Sequence, residues 1–134
     1  MYKIILFTHG KLGDGLLDTA EMVSGTIKDV DHIRLLPGDD PDDKFEFVKK
    51  TLDRYSKEQT PVLVFTDIFF GTPFNLMLKL SQDYEFAHIT GVNLPMLIEA
   101  LSYRNEANSV LTDLISYFIE IGKNGKFIDP KTLT

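Results

Sequence analysis

The sequence predicts an α/β fold: a doubly wound, mainly parallel sheet in the order 2-1-3-4, with helices on both faces. Two observations carry this. Four short apolar, β-branched runs alternate with stretches whose apolar residues recur every three to four positions, the signature of repeated βα units. One of those runs, Val62-Leu63-Val64-Phe65, is apolar on both faces, as a central parallel strand covered from both sides must be. Right-handed crossovers among four strands favour the 2-1-3-4 order, whose topological switch point lies between strands one and three.

The first strand spans about Lys3–Phe7. The helix after it presents Leu16, Leu17, Ala20 and Val23 on one face, and Gly25 supplies a stop. The second strand covers about His32–Leu36 and ends at Pro37-Gly38. Asp40-Pro41 then reads as an N-cap followed by proline at the first helical position, and Phe45, Val48, Leu52 and Tyr55 make the buried stripe. The third strand is Val62–Thr66. Thr72-Pro73 repeats the cap-then-proline signal ahead of Phe74, Met77, Leu78 and Leu80. A weaker strand lies near Phe86–Thr90. Asn93, Leu94 and Pro95 open the next helix, which buries Leu97, Ile98 and Leu101. A last helix runs from about Ser109 to Ile121, with Val110, Leu111, Leu114, Ile115 and Phe118 on one face, and Gly122 and Gly125 end it. Met22, Met77 and Met96 read as core fillers.

A length of 134 residues suits one domain, residues 1–134, with a real core. The composition, 43% hydrophobic and 25% charged, is that of an ordinary globular protein. Fourteen basic residues against twenty acidic ones give a formal charge of −6, which argues against nucleic-acid binding through a basic face. The absence of cysteine excludes disulfides, thiolate nucleophiles and Cys-based metal sites. The N-terminal apolar run is short and interrupted by Lys3, unlike a secretory leader, so a cytoplasmic location is expected. Asn124 to Thr134 is the stretch that could hang off the domain.

The chemistry concentrates at strand ends. His9, in Thr8-His9-Gly10, follows the first strand, and Asp67 follows the third, so the predicted topology sets them across one crevice. An imidazole there can act as a base, a metal ligand or a nucleophile. A carboxylate accepting the proton of one ring nitrogen would fix the tautomer and leave the other lone pair directed outward. The helix opening at Thr72-Pro73 adds free N–H groups and a positive dipole end, an anion site that Gly71 lets the backbone approach closely. Together these suggest phosphoryl transfer through a phosphohistidine. On spacing alone the plainer account, His9 as a polar strand-end residue and Asp67 as a turn former, outweighs it. His32 shares the polar alternation of its strand with Arg34 and reads as solvated. His88 lies near a strand start, away from the crevice. Gly38-Asp39-Asp40 reads as a turn and cap, or as a lip of the crevice. The carboxylates Asp39, Asp40, Asp42 and Asp43 complement a helix dipole without needing a metal.

At these residues the chain resembles the IIA domain of the mannose family of the bacterial phosphoenolpyruvate-dependent sugar phosphotransferase system. The similarity covers nearly the whole chain. Thr8-His9-Gly10 with Gly15-Leu16-Leu17, Ala20-Glu21-Met22 and Gly25 is similar to the family's opening segment, and Pro37-Gly38-Asp39-Asp40 to its second-strand exit. Thr66-Asp67 with Gly71-Thr72-Pro73-Phe74-Asn75 resembles the third exit, and Gly91-Val92-Asn93-Leu94-Pro95-Met96-Leu97 the fourth. The resemblance implies a phosphotransferase working through a phosphohistidine. His9 would accept phosphate from the carrier protein HPr and pass it to a histidine of a IIB domain, which phosphorylates sugar arriving through the membrane subunits IIC and IID. Asp67 would be the hydrogen-bonding partner of His9, and Thr72, with the backbone at Gly10 and Gly71, would hold the phosphate. No cofactor or metal is implied. The family also forms a homodimer whose C-terminal strand can be exchanged, for which Lys126-Phe127-Ile128 is a short candidate.

One departure stands out. The family usually carries two glycines before the serine or threonine, where this chain has Phe70-Gly71. If position 70 needs a left-handed backbone, Phe costs about 1–2 kcal/mol. Two other functions keep the fold: a phosphocarrier for a dihydroxyacetone kinase, and a noncatalytic regulatory module binding an anion or partner. A histidine phosphatase fits less well, because no arginine adjoins His9 to clamp a phosphate.

Overall fold

Apolar strands forced side by side between amphipathic helices decide the architecture. In a computed structural model, which describes residues 1–106, 110–124 and 131, the chain runs β1 (Lys3–His9), α1 (Leu12–Ser24), β2 (Val30–Leu35), α2 (Pro41–Lys57), β3 (Val62–Thr66), α3 (Thr72–Leu80), β4 (Ala87–Thr90), α4 (Leu94–Tyr103) and α5 (Leu111–Asn124). The four strands form one parallel sheet in the order β2-β1-β3-β4, as the alternating pattern predicts. The register pairs Phe7 with Thr66 and His9 with Leu35, so the ends of β1 and β3 lie together at the carboxyl edge.

The side-chain period of two along each strand divides the core into two layers. Ile4, Leu6, Leu63, Phe65 and Ile89 face Ala20 of α1, Leu97 of α4 and Phe118 of α5. Ile5, Phe7, Ile33, Val62 and Val64 face Val48 and Leu52 of α2 and Met77 and Leu80 of α3. All five residues of β3 are buried, the pattern of a central strand. Asp40 caps α2 by accepting the Asp42 N–H at 2.9 Å, and Pro41 follows at the first helical position. Asn93 caps α4 through the Met96 N–H at 3.3 Å.

Several expectations need correction. Val23 and Met22 belong to the water-facing side of α1, at 64% and 88% exposure; only its Gly13 and Ala20 are fully buried, with Leu16 and Leu17 packed on the core edge. Thr72 is the first helical residue of α3, not its cap; Gly71 takes that place without a side chain to offer. Val110 precedes α5 and is exposed. Gly122 does not end α5 but lies buried inside it, where a Cβ would come within 2.2 Å of the Met96 methyl carbon. The glycine lets α5 close onto the start of α4, and Asn93 Nδ2 donates to the Gly122 carbonyl at 3.0 Å. The proposed helix start at Ser109, its second stop Gly125 and the Lys126-Phe127-Ile128 strand lie outside the described residues. Among the described residues no helix is long and apolar enough to cross a membrane.

Candidate functional site

β1 carries His9 as its last residue, and β3 hands the chain directly to Asp67. Asp67 Oδ2 accepts two hydrogen bonds from His9, from the backbone N–H at 3.0 Å and from ring Nδ1 at 2.8 Å. An ionised carboxylate only accepts, so this contact assigns the proton to Nδ1 and leaves a lone pair on Nε2. The His9 side chain is 41% exposed, whereas that of Asp67 is only 9% exposed. The carboxylate is enclosed and the ring is accessible. Asp67 Oδ1 is buried and makes no hydrogen bond among the described residues, so the carboxylate's polar contacts converge on His9.

The free edge of the ring meets the start of α3. A Cβ placed on Gly71 would lie 2.6 Å from His9 Cε1 and 3.3 Å from Nε2, so only a glycine permits this approach. Gly71 is the helix N-cap, and the Asn75 N–H closes the first turn onto its carbonyl at 2.9 Å. The opening N–H groups of a helix have no intrahelical acceptor, and Pro73 contributes none. The backbone N–H groups of Thr72 and Phe74 therefore offer the positive end of the helix beside Nε2. An anion bonded to Nε2 would meet that end, while the Asp67 carboxylate stays behind the ring.

The two glycine expectations divide. Gly71 touches the ring. Gly10, at φ +54°, donates its N–H to Leu35 O at 2.8 Å, so its contribution is the left-handed turn out of β1 rather than a free donor. Thr8 completes that turn: its buried hydroxyl accepts the Gly13 N–H at 3.1 Å. Phe70 has φ +60°, a left-handed conformation, and Asn75 Nδ2 donates to its carbonyl at 3.2 Å.

Two histidines read as peripheral are more enclosed than their sequence positions suggest. His32 lies under α1 with its side chain only 13% exposed. Its Nε2 is packed against Gly13, where a Cβ would come within 2.2 Å. Its Nδ1 lies 3.5 Å from Asp14, which Arg34 engages through two nitrogens. Burial, the largest influence, lowers the His32 pKa from its ordinary value; Asp14 opposes the shift and Arg34 adds to it. His88 reaches the crevice end after all, with Nε2 2.8 Å from the hydroxyl of Thr66, the residue before Asp67. Burial lowers its pKa too. The alternation of a strand names a face but not the helix that covers it, which is why these enclosures escaped the sequence reading. The acidic run has local duties: Asp39 accepts the Leu36 N–H at 2.8 Å and pairs with Lys44 at 3.4 Å.

A concavity of about 720 Å³ lies at the opposite end of the sheet, lined among others by Tyr55, Pro61, Tyr84 and Phe86. His9 is not part of it. An exposed imidazole on an open surface is accessible to a macromolecular partner, unlike a group enclosed in a small-molecule pocket.

Comparison with known proteins agrees with this geometry. Residues 3–116 match the family described as "EIIA-man: PTS system fructose IIA component". The chain is 33% identical over 123 residues to the PTS system mannose-specific EIIAB component of Escherichia coli (strain K12), a match that covers 91% of this chain and 38% of that protein. It is 29% identical over 123 residues to the PTS system fructose-specific EIIA component of Bacillus subtilis (strain 168), covering 87% of this chain and 78% of that one. The crystal structure of phosphotransferase system component EIIA from Streptococcus agalactiae superimposes with a TM-score of 0.84 at 31% identity, covering 98% of this chain and 99% of that one. With the parallel 2-1-3-4 sheet and the family match extending through most of its length, the chain belongs to the mannose-type IIA family of the sugar phosphotransferase system.

Proposed function

We propose that residues 1–134 act as a IIA phosphocarrier unit in which His9 Nε2 takes a phosphoryl group from phosphorylated HPr and delivers it to a histidine of a IIB protein. The observation that carries the reading is the Nδ1–Asp67 hydrogen bond of 2.8 Å, with the opposite edge of the ring held against Gly71 at the start of α3. In the first step the Nε2 lone pair attacks phosphorus. The P–N bond of the donor breaks, and the donor nitrogen keeps the electron pair. The imidazole of His9, with Nδ1 still protonated, becomes cationic, and the Asp67 carboxylate stabilises that charge. The α3 backbone, with Thr72 at its first position, faces the phosphoryl oxygens. The second step is the same displacement in reverse, with the IIB histidine as nucleophile and His9 as leaving group. Positioning and oriented dipoles perform both steps, and neither needs a group beyond the two proteins. The IIB protein then serves sugar uptake through IIC and IID at the cytoplasmic side of the membrane.

The test is phosphotransfer with purified enzyme I, HPr and labelled phosphoenolpyruvate. One acid-labile phosphoryl group per chain is expected, and His9→Ala is expected to take none. A folded His9→Ala protein that acquires the same label would overturn the proposal.

A further inference from the structure

His88 borders the crevice, and the transfer chemistry leaves it without a task. It stands on β4, at one edge of the sheet, where the register sets it opposite Val64 and two residues before Thr90, the partner of Thr66. Side chains two apart share a face, so His88 and Thr90 lie on the same side of the sheet as Thr66, the side covered by α2 and α3. His88 Nε2 is 2.8 Å from the Thr66 hydroxyl, and that hydroxyl also bonds the Thr90 hydroxyl at 2.9 Å. Thr66 is fully buried, and its carbonyl accepts the Val92 N–H at 3.1 Å. Through these three contacts β4 and its exit grip the last residue of β3.

Packing alone does not require a hydroxyl at position 66. Val62 and Val64 fill the same layer with methyl groups, and a buried hydroxyl costs free energy unless it is bonded. Thr66 is bonded, and the next residue is Asp67. A contact on Thr66 therefore constrains the peptide that carries the carboxylate, and the carboxylate in turn holds His9 through its backbone N–H and Nδ1. The His88 ring also packs against Phe74 at 5.3 Å and Phe86 at 6.4 Å. Phe74 belongs to the first turn of α3, whose N-cap Gly71 meets the His9 ring. His88 thus touches both supports of that ring: the strand end that leads to Asp67 and the helix start beside Nε2. Burial lowers the His88 pKa from its ordinary value, so near neutral pH it supplies geometry rather than charge.

Resting on the phosphocarrier reading, we infer that His88 is a positioning residue for transfer: through its hydrogen bond to the Thr66 hydroxyl it fixes where β3 ends, and so holds the Asp67 carboxylate against Nδ1 of His9. A reacting constellation keeps its geometry only when the residues behind it are themselves locked by packing and hydrogen bonds. Without the His88 bond the peptide from Thr66 to Asp67 gains freedom, and the carboxylate's hold on Nδ1 slackens. The direction of the Nε2 lone pair then loosens as well. The surface on which a partner docks is unchanged, so the loss falls on the maximal transfer rate and spares half-saturation.

The experiment compares His88→Phe with the wild-type chain. Phenylalanine keeps an aromatic ring beside Phe74 and Phe86 and removes the hydrogen bond, while Thr66 retains Thr90, so the variant is expected to fold. Two quantities are read: the NMR signal of the His9 Nδ1 proton, and single-turnover labelling from HPr phosphorylated by enzyme I, resolved into maximal rate and half-saturation. The maximal rate is expected to fall about tenfold, a fraction of the roughly 100-fold that follows a 1 Å misplacement, with half-saturation unchanged. The Nδ1 signal is expected to move toward that of a solvent-exposed imidazole. Thr66→Val should match His88→Phe, and the two together should lose no more than either alone. His88→Gln, whose amide nitrogen can take the place of Nε2, should recover most of the rate. A wild-type maximal rate or an unmoved Nδ1 signal in folded His88→Phe, losses that multiply in the double variant, or a His88→Gln protein no faster than His88→Phe would each overturn the inference while leaving His9 as the carrier. A wild-type chain that takes no phosphate on His9 would overturn the phosphocarrier reading and this inference with it.

Discussion

Replacing Gly71 with alanine isolates the contact between the α3 backbone and the His9 ring. The backbone at Gly71 has φ −76° and ψ 168°, which alanine adopts without strain. In the unfolded chain alanine has less freedom than glycine, which by itself favours folding by about 0.4–1 kcal/mol. Against that stands the new methyl group, 2.6 Å from His9 Cε1 and 3.1 Å from Ile68 Cγ1. Carbon atoms rest about 3.5–4 Å apart, so ring and methyl must separate by about 1 Å. Ile68 is exposed and can swing aside, but the ring is held to Asp67 at 2.8 Å. A displacement of that size stretches the hydrogen bond out of range, and bonds to charged groups contribute about 1.5–3 kcal/mol. The expected net loss of stability is about 1–2 kcal/mol, read by urea denaturation. The expected loss of phosphoryl-transfer rate is larger, about 100-fold, the usual consequence of a 1 Å misplacement at a reacting group. Quenched-flow labelling from phosphorylated HPr measures the rate, and nitrogen NMR of the imidazole reports whether Nδ1 keeps its proton. A Gly71→Ala protein with wild-type rate and an unshifted imidazole spectrum would refute the reasoning, because the close approach would then have no part in transfer.

Further outcomes follow from other contacts. Asp67→Ala removes the acceptor of both His9 hydrogen bonds; transfer should slow by at least tenfold while the circular dichroism spectrum is retained, and an unchanged rate would remove Asp67 from the mechanism. His32 and His88 both have pKa values depressed below 6.5, chiefly by burial, so the folded chain binds fewer protons than the unfolded chain near that value. Their contribution is complete above pH about 6.5, the unfolded histidine value, and is lost as pH falls through the lower folded values. Denaturation midpoints between pH 7.5 and 5 should therefore decline, and a His32→Gln variant should flatten the decline; a slope identical to wild type would exclude His32 as a contributor. Gly13→Ala drives a methyl into His32, with a cost of about 1–3 kcal/mol expected from overpacking. In a His32→Ala background the same change should be neutral or slightly stabilising, since alanine is the better helix former, and additive effects in that double-mutant cycle would contradict the packing account.

Much of the molecule is readable from local pattern. Asp40-Pro41 and Asn93-Leu94-Pro95 start helices where their capping chemistry says, and the uninterrupted apolar run of Val62–Phe65 identifies the central strand. These signals survive because capping and strand burial depend on residues adjacent in the chain. Val23 continues the apolar spacing of Leu16 and Ala20 yet is 64% exposed, and Met22, on the other side of α1, is 88% exposed. The pairing of His9 with Asp67, 58 positions apart, was legible only because the strand order follows from βα repetition.

The sequence by itself thus determined the order of the elements, the parallel topology and the residue types gathered at the carboxyl ends of β1 and β3, since each depends on short-range periodicity and on the handedness of the crossovers. Tertiary structure alone decided which side chain each of three glycines meets. Gly71 admits the His9 ring, Gly13 admits His32, and Gly122 admits Met96. It also decided that Phe70 is left-handed and exposed. The physical reason is common to all four: a glycine's purpose, or a phenylalanine's exposure, depends on what a distant segment brings to within a few ångströms, and no spacing along the chain encodes that distance.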